Sequence, residues 1–282
     1  MSAAPRPLRL YASLWSLRGY PTSAREWSWP RKFAAIAAAG FDGVYSPPIP
    51  ELRRRGALRY RAVMSVRTRA GIAPAMTAAA GLGAESIDFQ LGTPATATPA
   101  AVALLREIRR QSRRLGLPFA VETHRGTCTE TPERTRALLR AYRAATGEPL
   151  PVCADHAHVA VVRHLAPPFW PALRRPAEVL AASQRFHLRP CNGHHAQLPV
   201  LTRAGRRSAE YRVWLDYVRE LFAHLAARRD RAELVVVPEI GHERPAYRLA
   251  DFPDTWRDAR ALSRDLRRLW SAAVRARAAQ KR

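Results

Sequence analysis

The chain has 282 residues, 47% of them hydrophobic, and a formal net charge of +24. It is too long for a minimal domain, can bury a large core, and contains no run of about 18 uncharged apolar residues, so no membrane span is expected. The charge raises nucleic acid as a partner, but lysine occurs only at Lys32 and Lys281 and arginine is scattered rather than gathered in one patch, so the sequence does not favour a nucleic-acid face.

In chain order, residues 8–15 (LRLYASLW) are strand-like and 23–40 have a helical period with a glycine stop. Residues 41–48 form a short strand ended by prolines, 50–56 a short helix, 60–66 a third strand, and the Ala- and Gly-rich 67–83 a helix. A fourth strand spans 85–93. Residues 98–116 are a strongly amphipathic helix with proline near its start and glycine at its end. Strand 118–122 leads to helix 129–147, capped by threonine and stopped by glycine. Strand 151–155 leads to a helix near 157–165 and another at 176–182. Strand 185–189 is followed by a long loop, 190–207, and by helix 209–229. Strand 233–239 precedes a last helix near 254–278.

Strands alternating with helices predict parallel βαβ units in an α/β fold. Eight such units predict a closed (β/α)8 TIM barrel, residues 1–282 forming one domain. The alternative, an open doubly wound sheet, lacks support: no GxGxxG turn follows the first strand and no GxxxxGK[ST] loop occurs. The N-terminal stretch lacks a signal-peptide core, so a cytoplasmic location is expected. Cys128, Cys153 and Cys191 show no CxxC spacing and read as buried small residues rather than a disulfide framework or thiolate site.

Four late strands end in metal-capable or acid–base side chains. PFAVETH delivers Glu122 and His124, CADHAH delivers Asp155 and His158, RFHLRP delivers His187 and Arg189, and VVVPEIGH delivers Glu239 and His242. Strand ends converge at the C-terminal face of a barrel. Glu122, Asp155, His187 and Glu239 would then offer three carboxylates and one imidazole. That set suits Mn²⁺ or Mg²⁺, with Co²⁺, Fe²⁺ or Zn²⁺ next. A divalent ion there could hold two vicinal oxygens of a hydroxy-carbonyl compound and stabilise an enediolate, while two carboxylates move the proton.

VETHRGTCTETPERTRALL, CADHAH, FHLRPCNGHHAQLP and VVVPEIG together resemble the xylose-isomerase-like TIM-barrel superfamily, the sugar phosphate isomerase/epimerase group. The resemblance is clearest over residues 118–243. It implies metal ligation by Glu122, Asp155, His187 and Glu239, with Glu122 and Glu239 as the acid–base pair. It also implies substrate contacts from His158 and Arg189, with His124 or Arg125 lining the pocket. The expected activity is a metal-dependent isomerase or epimerase of a sugar, polyol or related hydroxy-carbonyl compound, and a homo-oligomer stays open. Alternatives are a dehydratase of a cyclic polyol on the same site, a nucleic-acid-binding or AP-endonuclease-like barrel, and a partner-binding subunit.

Departures from the family pattern are informative. No histidine precedes His124, so a multinuclear repair site is unsupported, and neither Lys32 nor Lys281 is expected near a metal. Tyr45 ends the second strand where relatives often carry a carboxylate. His194 and His195 have no expected role. Blander readings compete: Asp155 as a helix N-cap, His158 as a core histidine, Arg189 as a solvated cation, and Trp15, Trp27 and Trp29 as packing residues.

Overall fold

The computed structural model describes residues 6–175, 177–228, 232–241 and 254–280. His242 and Lys281 lie outside these residues. Eight parallel strands close into a barrel in sequence order: β1 Leu8–Ser13, β2 Gly43–Ser46, β3 Arg59–Val66, β4 Ile87–Leu91, β5 Phe119–Glu122, β6 Val152–Asp155, β7 Ser183–His187 and β8 Leu234–Val237. The closing pair is β1 with β8, Leu10 opposite Val236. Both faces of such a strand are buried, which explains why the later strands read as continuous apolar runs. The helices around the barrel are α1 Trp29–Ala38, α2 Ile72–Gly81, α3 Thr98–Leu115, α4 Pro132–Thr146, α5 His156–Val162, α6 Trp170–Leu173, α7 Ala177–Ala182, α8 Ala209–Ala227 and α9 Thr255–Ala279. None of the described helices is long and apolar enough to cross a membrane.

Most of the core lies between the barrel and this helical ring. A smaller cluster fills the barrel itself: Tyr11, Tyr45, Val235 and Val237. Gly43 makes room for it, since a Cβ there would stand 2.7 Å from the Tyr11 ring and 2.5 Å from the Arg59 carbonyl oxygen. The N-terminal end of the barrel is closed by ion pairs of Glu233 with Arg9 and Arg59, and of Arg59 with Glu85.

The largest departure from the sequence reading lies after β1. The helix expected over 23–40 is two pieces, a 3-10 turn Ser23–Arg25 and then α1. A helix continuous from 23 would bury Pro30 in its interior, where it lacks the N–H for the ladder; with Ser28 as N-cap, Pro30 sits instead in the first turn of α1, where proline is tolerated. The expected helix 50–56 is a 3-10 segment, Pro50–Arg54, so β2 and β3 are joined without an α-helix. The helix expected near 157–165 starts one residue earlier, because Asp155 caps it: its Oδ1 accepts from the Ala157 N–H at 2.9 Å. Strands β7 and β8 end earlier than expected, so Arg189 and Glu239 each lie two residues beyond a strand.

Candidate active site

Glu122 ends β5, Asp155 ends β6, His187 ends β7 and Glu239 follows β8. Each offers a ligand atom, and these atoms all lie within 4.8 Å of one another. Glu122, Asp155 and His187 are at most 1% exposed. The His187 Nδ1 faces Glu122 Oε1 at 3.2 Å and Glu239 Oε2 at 3.3 Å. The second Glu122 oxygen is buried with no hydrogen-bond partner. An orphaned buried polar atom at a donor cluster is what a site built around an ion leaves behind.

Arg189, expected as either solvated or a substrate contact, is only 3% exposed. It is ion-paired with Asp155, lies 3.4 Å from Glu239 Oε2, and donates to His158 Nε2 at 2.7 Å. That donation leaves the His158 proton on Nδ1, which is buried with no partner. Burial, then Arg189 and His124, hold the His158 pKa well below the ordinary imidazole value, so the ring is neutral. His124 is half-buried, its ring 3.8 Å from that of His158. Asp155 caps α5 with one oxygen, as the blander reading expects, and its other oxygen pairs with Arg189.

The electrostatics fit a cation. Burial opposes charge on Glu239, but Arg189 and His187 outweigh it and pull its pKa well below the usual carboxylate range. Burial likewise opposes charge on His187, yet Cys153, Glu122 and Glu239 push its pKa well above normal. The centre gathers three carboxylates, Glu122, Asp155 and Glu239, and one guanidinium, Arg189. With His187 neutral, a single divalent ion would balance the remaining charge, and oxygen-rich ligation with one nitrogen suits Mg²⁺ or Mn²⁺.

Several residues that the sequence reading set aside surround this centre. A cavity of about 850 Å³ opens over it, lined by Glu239, His124 and Arg189 on one side and by residues from β1–β4 on the other. Lys32, not expected near a site, lines it, as do Trp15 and Trp29. Trp27 is not among the lining residues; it packs edge-on against Tyr20. Tyr45 also lines the cavity and meets the His187 ring edge-on at 4.9 Å. Burial, with Asp88 and Glu122 nearby, raises its pKa well above normal, so its hydroxyl stays protonated. Thr127 and Thr129 fold the loop after β5, Thr129 donating to the Glu122 carbonyl and Thr127 to that of His124, each at 2.6 Å. Gln197, in the long loop after β7, brackets Gly241 by accepting from its N–H at 2.8 Å and donating to its carbonyl at 2.7 Å. His194 and His195 are exposed on that loop. Cys128, Cys153 and Cys191 are free and buried.

No family model matches the chain, and no curated protein matches it by sequence. Solved structures do match over nearly the whole length. An L-ribulose 3-epimerase is 13% identical with a TM-score of 0.66, covering 98% of each chain. A xylose isomerase-like TIM-barrel protein from Mycobacterium smegmatis, in complex with magnesium, is 14% identical with a TM-score of 0.57, covering 95% of this chain and 98% of that one. A probable 3-DHS dehydratase from Bacillus anthracis is 15% identical with a TM-score of 0.56, covering 91% of this chain and 98% of that one. At these identities the likeness speaks to architecture, and the chain has the xylose-isomerase-like TIM-barrel fold.

Proposed function

We propose that the protein is a divalent-metal-dependent epimerase or isomerase of a sugar or related hydroxy-carbonyl compound. The observation that carries this reading is the convergence of Glu122, Asp155, His187 and Glu239, whose donor atoms lie within 4.8 Å of one another at the mouth of the barrel. These four side chains would hold Mn²⁺ or Mg²⁺. When bound, the ion supplies Lewis acidity toward two vicinal substrate oxygens, which acidifies the adjoining C–H bond. Glu122 and Glu239 are the groups that remove and return the proton, each presenting a carboxylate oxygen toward the centre. Neutral His158 donates through Nδ1 to a substrate oxygen, and Arg189 holds both that ring and Asp155 in place. The protonated Tyr45 hydroxyl offers a further donor from the opposite wall.

Bound metal and deuterium exchange from solvent into a panel of ketoses test the reading. Exchange should require metal and should fall about 100-fold or more in Glu122→Gln and Glu239→Gln. A protein that takes up no divalent ion and catalyses no exchange would end the proposal. The likeness to a probable dehydratase favours one second reading, elimination of water from a cyclic polyol on the same residues. Mass spectrometry separates the two, because only elimination lowers the product mass by one water.

A further inference from the structure

Below the four donors the barrel holds a second buried polar group that the proposed chemistry does not use. Residues two apart on a strand share a face, so Cys153 stands under Asp155 on β6 and Arg185 under His187 on β7. Asp88 joins them from β4. Asp88, Cys153 and Arg185 are all buried. One ligand-type atom from each of Asp88, Cys153 and His187 lies within 4.8 Å of the other two. By residue type these three make a site for a soft metal ion. Arg185 argues against one, because its guanidinium is ion-paired with Asp88 and already supplies the positive charge there.

The group acts instead on His187. That ring turns Nδ1 toward Glu122 and Glu239, at 3.2 and 3.3 Å. A neutral ring that meets an ion through Nδ1 carries its proton on Nε2, and a buried ring N–H needs an acceptor. Such acceptors are ordinarily carboxylates, carbonyls or water, and they set both the tautomer and the angle of the ring. Here the hydrogen-bonding neighbour of the ring is Cys153. Burial pushes the Cys153 thiol up to about 12, so it keeps its proton. Its sulfur can then accept from the ring while its S–H points to Asp88, whose charge Arg185 balances. Donors run one way, from His187 to Cys153 to Asp88. Tyr45 meets the same ring edge-on at 4.9 Å, so His187 has an aromatic neighbour as well as the sulfur.

We propose that Cys153 is a positioning residue which, backed by the Asp88–Arg185 pair, holds the His187 ring with Nδ1 turned to the four-donor centre. The metal-dependent reading is needed only for what Nδ1 meets there. Nitrogen-15 labelling of the histidines reads the ring directly, and the His187 signals are assigned by their loss in His187→Asn. In the metal-free wild type the His187 Nε2–H should be a slowly exchanging, hydrogen-bonded resonance. In the Mg²⁺-loaded wild type the ring should be the Nε2–H tautomer. Cys153→Ala should speed exchange of that N–H about tenfold or more and weaken Mn²⁺ binding about tenfold by calorimetric titration. Cys153→Ser keeps an acceptor and a donor at the same place and should recover most of both losses. Melting curves report whether each variant folds, and a residue that merely fills space would move Tm without moving the ring N–H.

A ring N–H unchanged in Cys153→Ala, a serine variant no better than the alanine one, or an Nδ1–H tautomer in the wild type overturns the inference. The exchange measurement needs no metal, so the two readings fail separately. Mn²⁺ uptake with a ring N–H indifferent to Cys153 removes this inference and leaves the metal site standing. A ring N–H that depends on Cys153, in a protein that takes up no ion, does the reverse.

Discussion

Glu239 reaches the centre from beyond the end of β8, so something other than the sheet must fix it. Gln197 brackets the backbone two residues on, through its paired hydrogen bonds to the N–H and carbonyl of Gly241 at 2.8 and 2.7 Å. Both partners are buried, Gln197 at 2% exposure. Gln197→Ala would strand two backbone groups that no water replaces without opening the loop. A buried backbone group left unpaired costs about 1–3 kcal/mol, and partial relaxation makes roughly 2–4 kcal/mol the expected total. For a chain of this size that is a fall in Tm of roughly 4–12 °C. The same variant should bind Mn²⁺ about tenfold more weakly, since Glu239 loses its anchor two residues away. Denaturant unfolding followed by circular dichroism gives the first quantity and calorimetric titration of Mn²⁺ the second. A variant that melts with the wild type and takes up metal equally well would show that the bracket is incidental and that Glu239 is held by other means.

Three further outcomes are expected. Gly241→Ala would place a Cβ 1.8 Å from the Trp15 ring, so the indole must move into the cavity. A loss of about 1–3 kcal/mol with altered tryptophan fluorescence checks it, and an unperturbed spectrum at full stability refutes it. Metal at about 100 times its Kd should stabilise the fold by roughly 2.7 kcal/mol, raising Tm by roughly 5–10 °C. Thermal melts with and without EDTA measure this, and His187→Ala should abolish the difference. At the N-terminal end of the barrel, Arg59 and Arg9 lower the Glu233 carboxyl from 4.5 to about 2. A depressed carboxylate stabilises the fold above its unfolded value, and that contribution is lost as pH falls through the folded value. With the side chain 31% exposed, screening leaves about 1 kcal/mol of it. Between pH 4.5 and pH 2 the wild type should therefore lose more stability than Glu233→Gln, and parallel losses in the two proteins would remove the assignment.

What the sequence disclosed was whatever a short stretch of chain states about itself. A parallel barrel strand is buried on both faces, so a carboxylate or imidazole closing an apolar run stands out, and Glu122, Asp155 and His187 were found that way. Arg189 is ambiguous in the sequence because its partners are Asp155 and His158, 34 and 31 residues back, and nothing in RFHLRP marks one arginine among so many as buried. Gln197 was invisible for the same reason: its partner lies 44 residues on, and a loop has no periodicity to flag it. Lys32 failed for a local reason. A helix read as continuous over 23–40 assigns it no particular face, and only the interruption before Trp29, with Ser28 as N-cap, sets it in the first turn of α1. The two halves of the cavity therefore differ in kind. The half that holds the proposed chemistry is written at strand ends, where register and polarity betray it. The other half is written in connections, where a residue acquires meaning only from what the closed barrel brings to face it.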